Sequence, residues 1–300
     1  MPWGLEIGPE TIRLCRAALR RGHLLLQRRV ELPVPPDLVQ PSLKETNLRE
    51  APRLVALLTE ARRKARVGGW LRVVLPDAVF TMRSLTTDQL PDRRDDARRL
   101  LRWQARDLLP FPADEARLDY LPLAPGPEGR RRTVCLVARE RVLAEYEAAL
   151  AQAGLQVAVL DAQTIALAQA AGSALRDGPA ALLAVNGTRT TLLVVHEGLP
   201  RFWRQLPGGR DSWVDGREAQ LLREVADSLT FCQESERTGS VKHVVVSGLG
   251  RLGGRVSANL TDWLGIPAAG LDLTTALRAG GDADDLAAWG AALGAAIRPW

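Results

Sequence analysis

Three glycine turns carry the chemistry this sequence could perform. Each follows an apolar, strand-like run. Leu5-Glu6-Ile7-Gly8-Pro9-Glu10-Thr11 opens the chain. Ala184-Val185-Asn186-Gly187-Thr188-Arg189-Thr190-Thr191 opens its second half. Ser247-Gly248-Leu249-Gly250 closes a later run at Val241–Val246. Glycine admits close backbone approach, N–H groups gathered in turns bind anions, and Thr hydroxyls add donors. Two such turns facing across a cleft would hold phosphates from both sides, with the third turn at the adenosine end of a nucleotide. The candidate ligands are Gly8, Thr11, Gly187, Thr188, Thr190, Gly248 and Gly250. Taken singly each is an ordinary tight turn. Their order carries the reading.

Other constellations have plainer explanations. Asp211, Asp215 and Glu218 could pair for acid–base chemistry, as a small-molecule kinase would need, but a Gly-rich loop entering a helix uses such residues as caps. Cys15, Cys135 and Cys232 lie far apart, without metal-ligand or redox spacing. They read as buried small hydrophobes in a reducing compartment. His23, His196 and His243 are equally scattered. Trp203 and Trp213 read as core. No GxxxxGK[ST] loop exists, which excludes a P-loop ATPase.

Charge and composition bound the class. The chain has 300 residues, 46% hydrophobic and 25% charged, with net charge +5, as expected of a folded globular protein. All but Lys44, Lys64 and Lys242 of the 40 basic residues are Arg, the signature of a GC-rich genome more than of a polyanion partner. The run of Arg93, Arg94, Arg98, Arg99, Arg102 and Arg106 is interleaved with Asp92, Asp95, Asp96 and Asp107 and reads as a solvated helix face. Aromatics do not interleave with basic residues as single-strand binding needs, so no nucleic-acid partner is expected. No segment reaches the ~20 apolar residues of a membrane span, and the opening residues do not read as a signal peptide.

The elements that must position these turns follow from periodicity. Trp3–Ile7, Thr11–Leu19 and Leu24–Leu32 form a meander. A helix over Leu48–Val67 stops at Gly68-Gly69, and Trp70–Leu75 is a buried strand. Strand Val79–Leu85, helix Arg93–Leu109, strands Leu118–Leu123 and Thr133–Ala138 about a polar loop at 125–132, and helix Arg139–Ala153 form an inserted α/β subdomain over 77–154. Leu155–Leu160 and a helix over Thr164–Ala174 complete a first lobe, 1–178. A second lobe, 179–285, has strands Ala180–Val185, Thr190–His196, Leu199–Leu206 and Val241–Val246 with helices Glu218–Cys232 and Val256–Leu264. A final helix over Leu286–Ile297, in the segment 286–300, returns to the first lobe. Each half begins with strand, glycine turn and hairpin, so the chain is an internal duplication. The fold class is α/β.

These pieces resemble, in order, the actin-like ATPases (a ribonuclease H-like, two-lobed fold), and within them the PilM family of type IV pilus assembly and the related cytoplasmic part of GspL in type II secretion. The resemblance rests on Gly4-Leu5-Glu6-Ile7-Gly8 with Ile12-Arg13-Leu14, on Leu75-Pro76, Leu108-Leu109-Pro110-Phe111 and Leu118-Asp119-Tyr120, and on Val137-Ala138-Arg139-Glu140 with Tyr146. It continues through Ala153-Gly154-Leu155, Val159-Leu160-Asp161, Phe231, Ser247-Gly248-Leu249-Gly250 and the closing Ala291–Arg298.

The resemblance implies ATP with Mg²⁺ as cofactors, held by an acidic residue two positions before each phosphate-turn glycine. Glu6 takes the first position, as the candidate Mg²⁺ ligand, and Val185 the second, where no metal can bind. The implied protein is a pseudo-ATPase scaffold. It is cytoplasmic and peripheral at the inner membrane. Its partners are the N-terminal tail of a PilN-like membrane protein, docked at the lobe with the insert, and other pilus or secretion assembly proteins. An active ATP-binding switch of the same complex stands as the alternative, and a small-molecule kinase as a weaker one.

Overall fold

The computed structural model describes residues 3–124, 131–236, 238–280 and 283–297. The expected loop at 125–132 lies mostly outside them, as does Arg298.

The chain opens with β1 (Trp3–Ile7), β2 (Thr11–Arg20) and β3 (His23–Pro33), then α1 (Ala51–Ala65) and β4 (Trp70–Leu75). The insert comprises β5 (Phe80–Thr87), α2 (Arg94–Ala105), β6 (Ala116–Pro122) and β7 (Arg131–Arg139). The chain then returns through α3 (Glu140–Gln152), β8 (Gln156–Ala162) and α4 (Gln163–Ala170). The second lobe follows as β9 (Ala180–Val185), β10 (Arg189–His196), β11 (Leu199–Pro207), α5 (Arg210–Val214), α6 (Glu218–Glu236), β12 (His243–Ser247), α7 (Gly253–Leu264) and β13 (Ala268–Gly270). Helices α8 (Leu273–Ala276), α9 (Ala283–Ala288) and α10 (Gly290–Ile297) end it.

The two five-stranded sheets repeat one plan. The first runs β3-β2-β1-β4-β8 and the second β11-β10-β9-β12-β13. In each, a hairpin meander is followed by parallel strands. The central strands β1, β4, β9 and β12 are near-continuous apolar runs because helices cover both their faces. On one side of the first sheet lie α1, burying Leu54, Leu58, Ala61 and Ala65, and α3, burying Val142, Leu143, Tyr146, Ala149 and Leu150. The Tyr146 hydroxyl donates to Asn47 Oδ1 at 3.1 Å, so its polar tip is satisfied.

This packing corrects the extent of the insert. The helix expected at its end is the crossover helix between β4 and β8, and its side chains join the first-lobe core. The insert proper is the three-stranded sheet β5-β7-β6 with α2. Leu85, Leu101, Ala105, Phe111, Leu118, Cys135 and Val137 form a separate core there. Periodicity marks α3 as amphipathic but not which sheet its stripe meets.

Between the two sheets lie α4 and α10. They approach so closely that a Cβ on Gly294 would sit 1.8 Å from the Ala166 carbonyl oxygen, and one on Gly4 would sit 2.0 Å from that of Ala292. The continuous helix expected over Leu286–Ile297 is broken at Trp289, giving α9 and α10. The break lets Trp289 bury itself in the core while Gly290 passes under Leu167, whose Cδ1 would lie 2.5 Å from a Cβ there. Among the described residues, no helix is long and apolar enough to cross a membrane.

Candidate functional site

The first glycine turn sits at the carboxyl end of β1. Gly8 N–H donates to the Thr11 carbonyl at 2.9 Å, closing a two-residue loop of Pro9 and Glu10 after the pair Ile7↔Ile12. Side chains alternate along a strand, so Gly4 and Glu6 share the face that meets α10. Glu6 is 4% exposed. Its Oε1 accepts from Gln163 Nε2 at 2.6 Å, and its Oε2 lies 3.8 Å from Arg13 Nη1. Arg13 in turn donates to Glu31 Oε2 at 2.6 Å. Burial pushes the Glu6 carboxyl up to about 7, with Arg13 and Gln163 opposing the shift.

The second turn repeats the geometry with a shifted sequence. Asn186 N–H donates to the Arg189 carbonyl at 2.8 Å, after the pair Val185↔Thr190. The residue equivalent to Glu6, whose partner is Arg13, is therefore Ala184, whose partner is Thr191. Counting back from Gly187 selects Val185, and this is corrected by one residue. Val185 points the other way, into the core with Trp213, Leu221 and Val225. Thr190 shares that face. It is 1% exposed and its hydroxyl donates to the Gly208 carbonyl at 2.9 Å, so it is a structural residue and not a ligand. The physical reason for the slip is that hydrogen-bond register, not glycine position, sets which side chain faces the cleft.

The two turns do face one another. Glu10 Oε1 lies 3.5 Å, and Asp211 Oδ2 4.0 Å, from where a Cβ on Gly187 would be. Arg210 Nη2 is 3.9 Å from Glu10 Oε2. Asp211 enters as a helix-start residue: N–H groups of Arg210 and Asp211 donate to the carbonyls of Asn186 and Gly187 at 2.8 and 3.0 Å. Thr188 is exposed at the loop, and Thr11 is half-buried at the start of β2. The third turn packs on the end of β9. Gly248 has φ +92 and a Cβ there would lie 1.9 Å from the Val185 carbonyl oxygen, a position only glycine fills. Leu249 is buried, whereas Gly250, Gly253 and Gly254 border open space.

These residues do not fit Mg²⁺. Glu6 on the first wall is already held by Gln163 and Arg13, and burial raises its carboxyl to about 7. Ala184 on the second wall offers no oxygen. Hard cations need several oxygen donors. Glu10 and Asp211 also place negative charge where the second turn would receive phosphate, against which Arg210 is the counter-charge.

Periodicity did not reveal Asp77 and Gln163. Asp77 is 3% exposed. Its Oδ1 accepts from Thr164 N–H at 2.9 Å, and the Thr164 hydroxyl also donates to it. It thus caps the first turn of α4, where Gln163 stands. From the second lobe, Thr191 hydrogen-bonds the same carboxylate, and Gln205 Nε2 donates to the Asp77 carbonyl at 2.7 Å. Burial raises the Asp77 carboxyl above its ordinary range. The available signal was an acid directly after Leu75-Pro76, at a strand end where an apolar loop gives no reason for a charge.

A second feature is a groove of about 690 Å³ between insert and first lobe. Arg117, Leu118 and Asp119 of β6 line one wall, and Val157, Val159 and Leu160 of β8 the other. Both β6 and β8 are edge strands of their sheets. Arg117 is held by Glu140 and Glu147, and Asp119 by Arg94 and Arg98, so the rim is polar and paired.

Comparison with known proteins gives the following. Residues 4–212 match the family described as type IV pilus assembly protein PilM. The structure of a PilM–PilN type IV pilus biogenesis complex superposes with TM-score 0.84 at 22% identity, covering 99% of each chain. A Bacteroides thetaiotaomicron protein with an actin-like ATPase fold and unknown function matches at TM-score 0.52 and 9% identity, over 92% of this chain and 94% of that one. The cytoplasmic domain of EpsL, from the type II secretion system of Vibrio cholerae, matches at TM-score 0.47 and 11% identity, over 81% and 80%. The fold is the actin-like ATPase fold.

Proposed function

The chain belongs to the type IV pilus assembly protein PilM family, and on that premise we propose that it acts as a cytoplasmic scaffold that receives the N-terminal tail of a PilN-like inner-membrane protein. The observation that carries this is the groove between β6 and β8. Two edge strands expose unpaired backbone N–H and C=O groups, and half-buried Val157, Val159 and Leu160 offer apolar contacts. An extended peptide laid there adds a strand and gains backbone hydrogen bonds, while alternate side chains fill the groove. The membrane partner then links this protein to the rest of a pilus or secretion assembly. The nucleotide cleft, where Glu6 is already engaged by Gln163 and Arg13 and Ala184 stands at the equivalent position opposite, supports a pseudo-ATPase.

Calorimetric titration with a synthetic PilN-like tail tests the reading. Wild type is expected to bind and Val159→Arg to lose binding at an unchanged melting temperature. Equal binding by both would sink the groove assignment. The switch reading draws on Asp77, which joins α4 to Thr191 and Gln205 of the second lobe. A Mg²⁺-dependent rise in melting temperature at millimolar ATP would favour it, since a ligand of the folded state alone must stabilise. The scaffold reading expects no such rise.

A further inference from the structure

The end of the first lobe remote from the cleft carries two stretches without a single acid. Residues 11–30 hold six Arg and His23, and residues 61–76 hold four Arg and one Lys. Other acid-free runs, such as 198–210 and 237–261, are sparser in Arg and Lys. The fold brings these two stretches together. Trp3, at the start of β1, pairs with Arg16 and Leu71, so β2 runs four residues, about 13 Å, past the sheet's end. The hairpin closes on Arg21 and Gly22, both at positive φ (53 and 79), as a two-residue turn requires. The last turn of α1 lies beside it: Arg28 Nη1 donates to the Ala65 carbonyl at 2.9 Å. Trp3 Nε1 donates to the Gly68 carbonyl at 3.2 Å, which places Gly68-Gly69-Trp70 at the same end.

Arg20, Arg21, Arg62, Arg63, Lys64 and Arg66 are exposed there. Lys64 pairs with Glu60. Among these cations stand Leu19, 46% exposed, Leu25, 40%, and Trp70, 56%. Exposed large apolar side chains set among exposed Arg residues are unfavourable toward water alone and complementary to one surface: an anionic bilayer, which takes the apolar groups below its headgroups and the guanidinium groups at them.

We propose that this end of the first lobe docks on an anionic lipid surface, seated by Leu19, Leu25 and Trp70 and held by Arg20, Arg21 and the α1 terminus. The contact is independent of the tail groove and needs no partner. It also places the groove well. Trp70 pairs with Gln156 at the start of β8, so the groove wall begins at the docked end, where a tail leaving the bilayer would enter.

Vesicle sedimentation of the whole chain, without partner, tests this. Binding is expected to phosphatidylcholine vesicles containing phosphatidylglycerol and not to phosphatidylcholine alone, and to fall with salt. Arg20→Glu with Arg21→Glu is expected to weaken it more than about tenfold, with the melting temperature unchanged. Arg93→Glu with Arg99→Glu, the same charge change at two exposed residues, one just before α2 and one on it, is expected to leave it intact. Brominated lipid should quench tryptophan emission in wild type and lose that fraction in Trp70→Phe. Absence of binding, equal binding to both vesicle types, equal weakening by the α2 control, or binding to duplex DNA with none to vesicles each overturns the proposal.

Discussion

At the scale of single residues, Glu6 shows how one side chain encodes the fate of a site. It takes the position that the sequence resemblance assigns to a Mg²⁺ ligand, yet it is buried against Gln163 and Arg13. Its folded-state value of about 7 lies above the ordinary 4.5. A carboxyl raised on folding contributes stability that is whole below pH 4.5 and lost as pH rises through 7. Wild type should therefore lose on the order of 3 kcal/mol between pH 4.5 and 8 from this group. Glu6→Gln should flatten that slope, melting higher than wild type at pH 8 and equal to it near pH 4.5. A parallel pair of curves in a pH series of melts would refute the assignment. Asp77, raised by burial as Glu6 is, matters through the groups it accepts from. Its carboxylate satisfies two groups of Thr164 and the Thr191 hydroxyl. Asp77→Ala leaves them buried without an acceptor and should destabilise by on the order of 3 kcal/mol in urea titration. It should also free Gln163, read as altered side-chain amide resonances.

At the scale of elements, close packing of α4 and α10 decides how the sheets meet. Gly294 passes Ala166 with no room for a side chain. Gly294→Val should destabilise by roughly 3 kcal/mol or more, because the obstacle is backbone and cannot rotate away. Gly253→Ala, in a helix bordered by open space, should change stability little. Denaturant midpoints of the two variants give the comparison. Periodicity located α1, α2, α6 and the central strands to within a few residues. It missed α5, β13 and α8, which are short and held by contacts to other elements. It also ran α9 and α10 together, since only the burial of Trp289 reveals the break.

At the scale of the molecule, one core joins both lobes, uniting Leu5 and Leu75 with Leu182 and Leu193 through Leu167 and Leu293. The insert keeps a smaller core of its own, around Leu101 and Val137. Native-state hydrogen exchange should therefore show β5, β6 and α2 opening below the free energy of global unfolding, while β1, β4, β9 and α10 exchange together at the global limit. Matching exchange free energies across insert and lobes would mean a single cooperative unit.

The sequence alone determined the duplicated strand–turn–hairpin plan, the three glycine turns and the insert after Pro76. All of these follow from residue type and local spacing. Only the tertiary structure decided which side chain faces the cleft, because hydrogen-bond register moved the second wall position from Val185 to Ala184. It also assigned α3 to the first lobe, set Asp77 between the lobes and brought residues 11–30 and 61–76 to one surface. Each of those depends on contacts between distant segments, for which periodicity along the chain carries no signal.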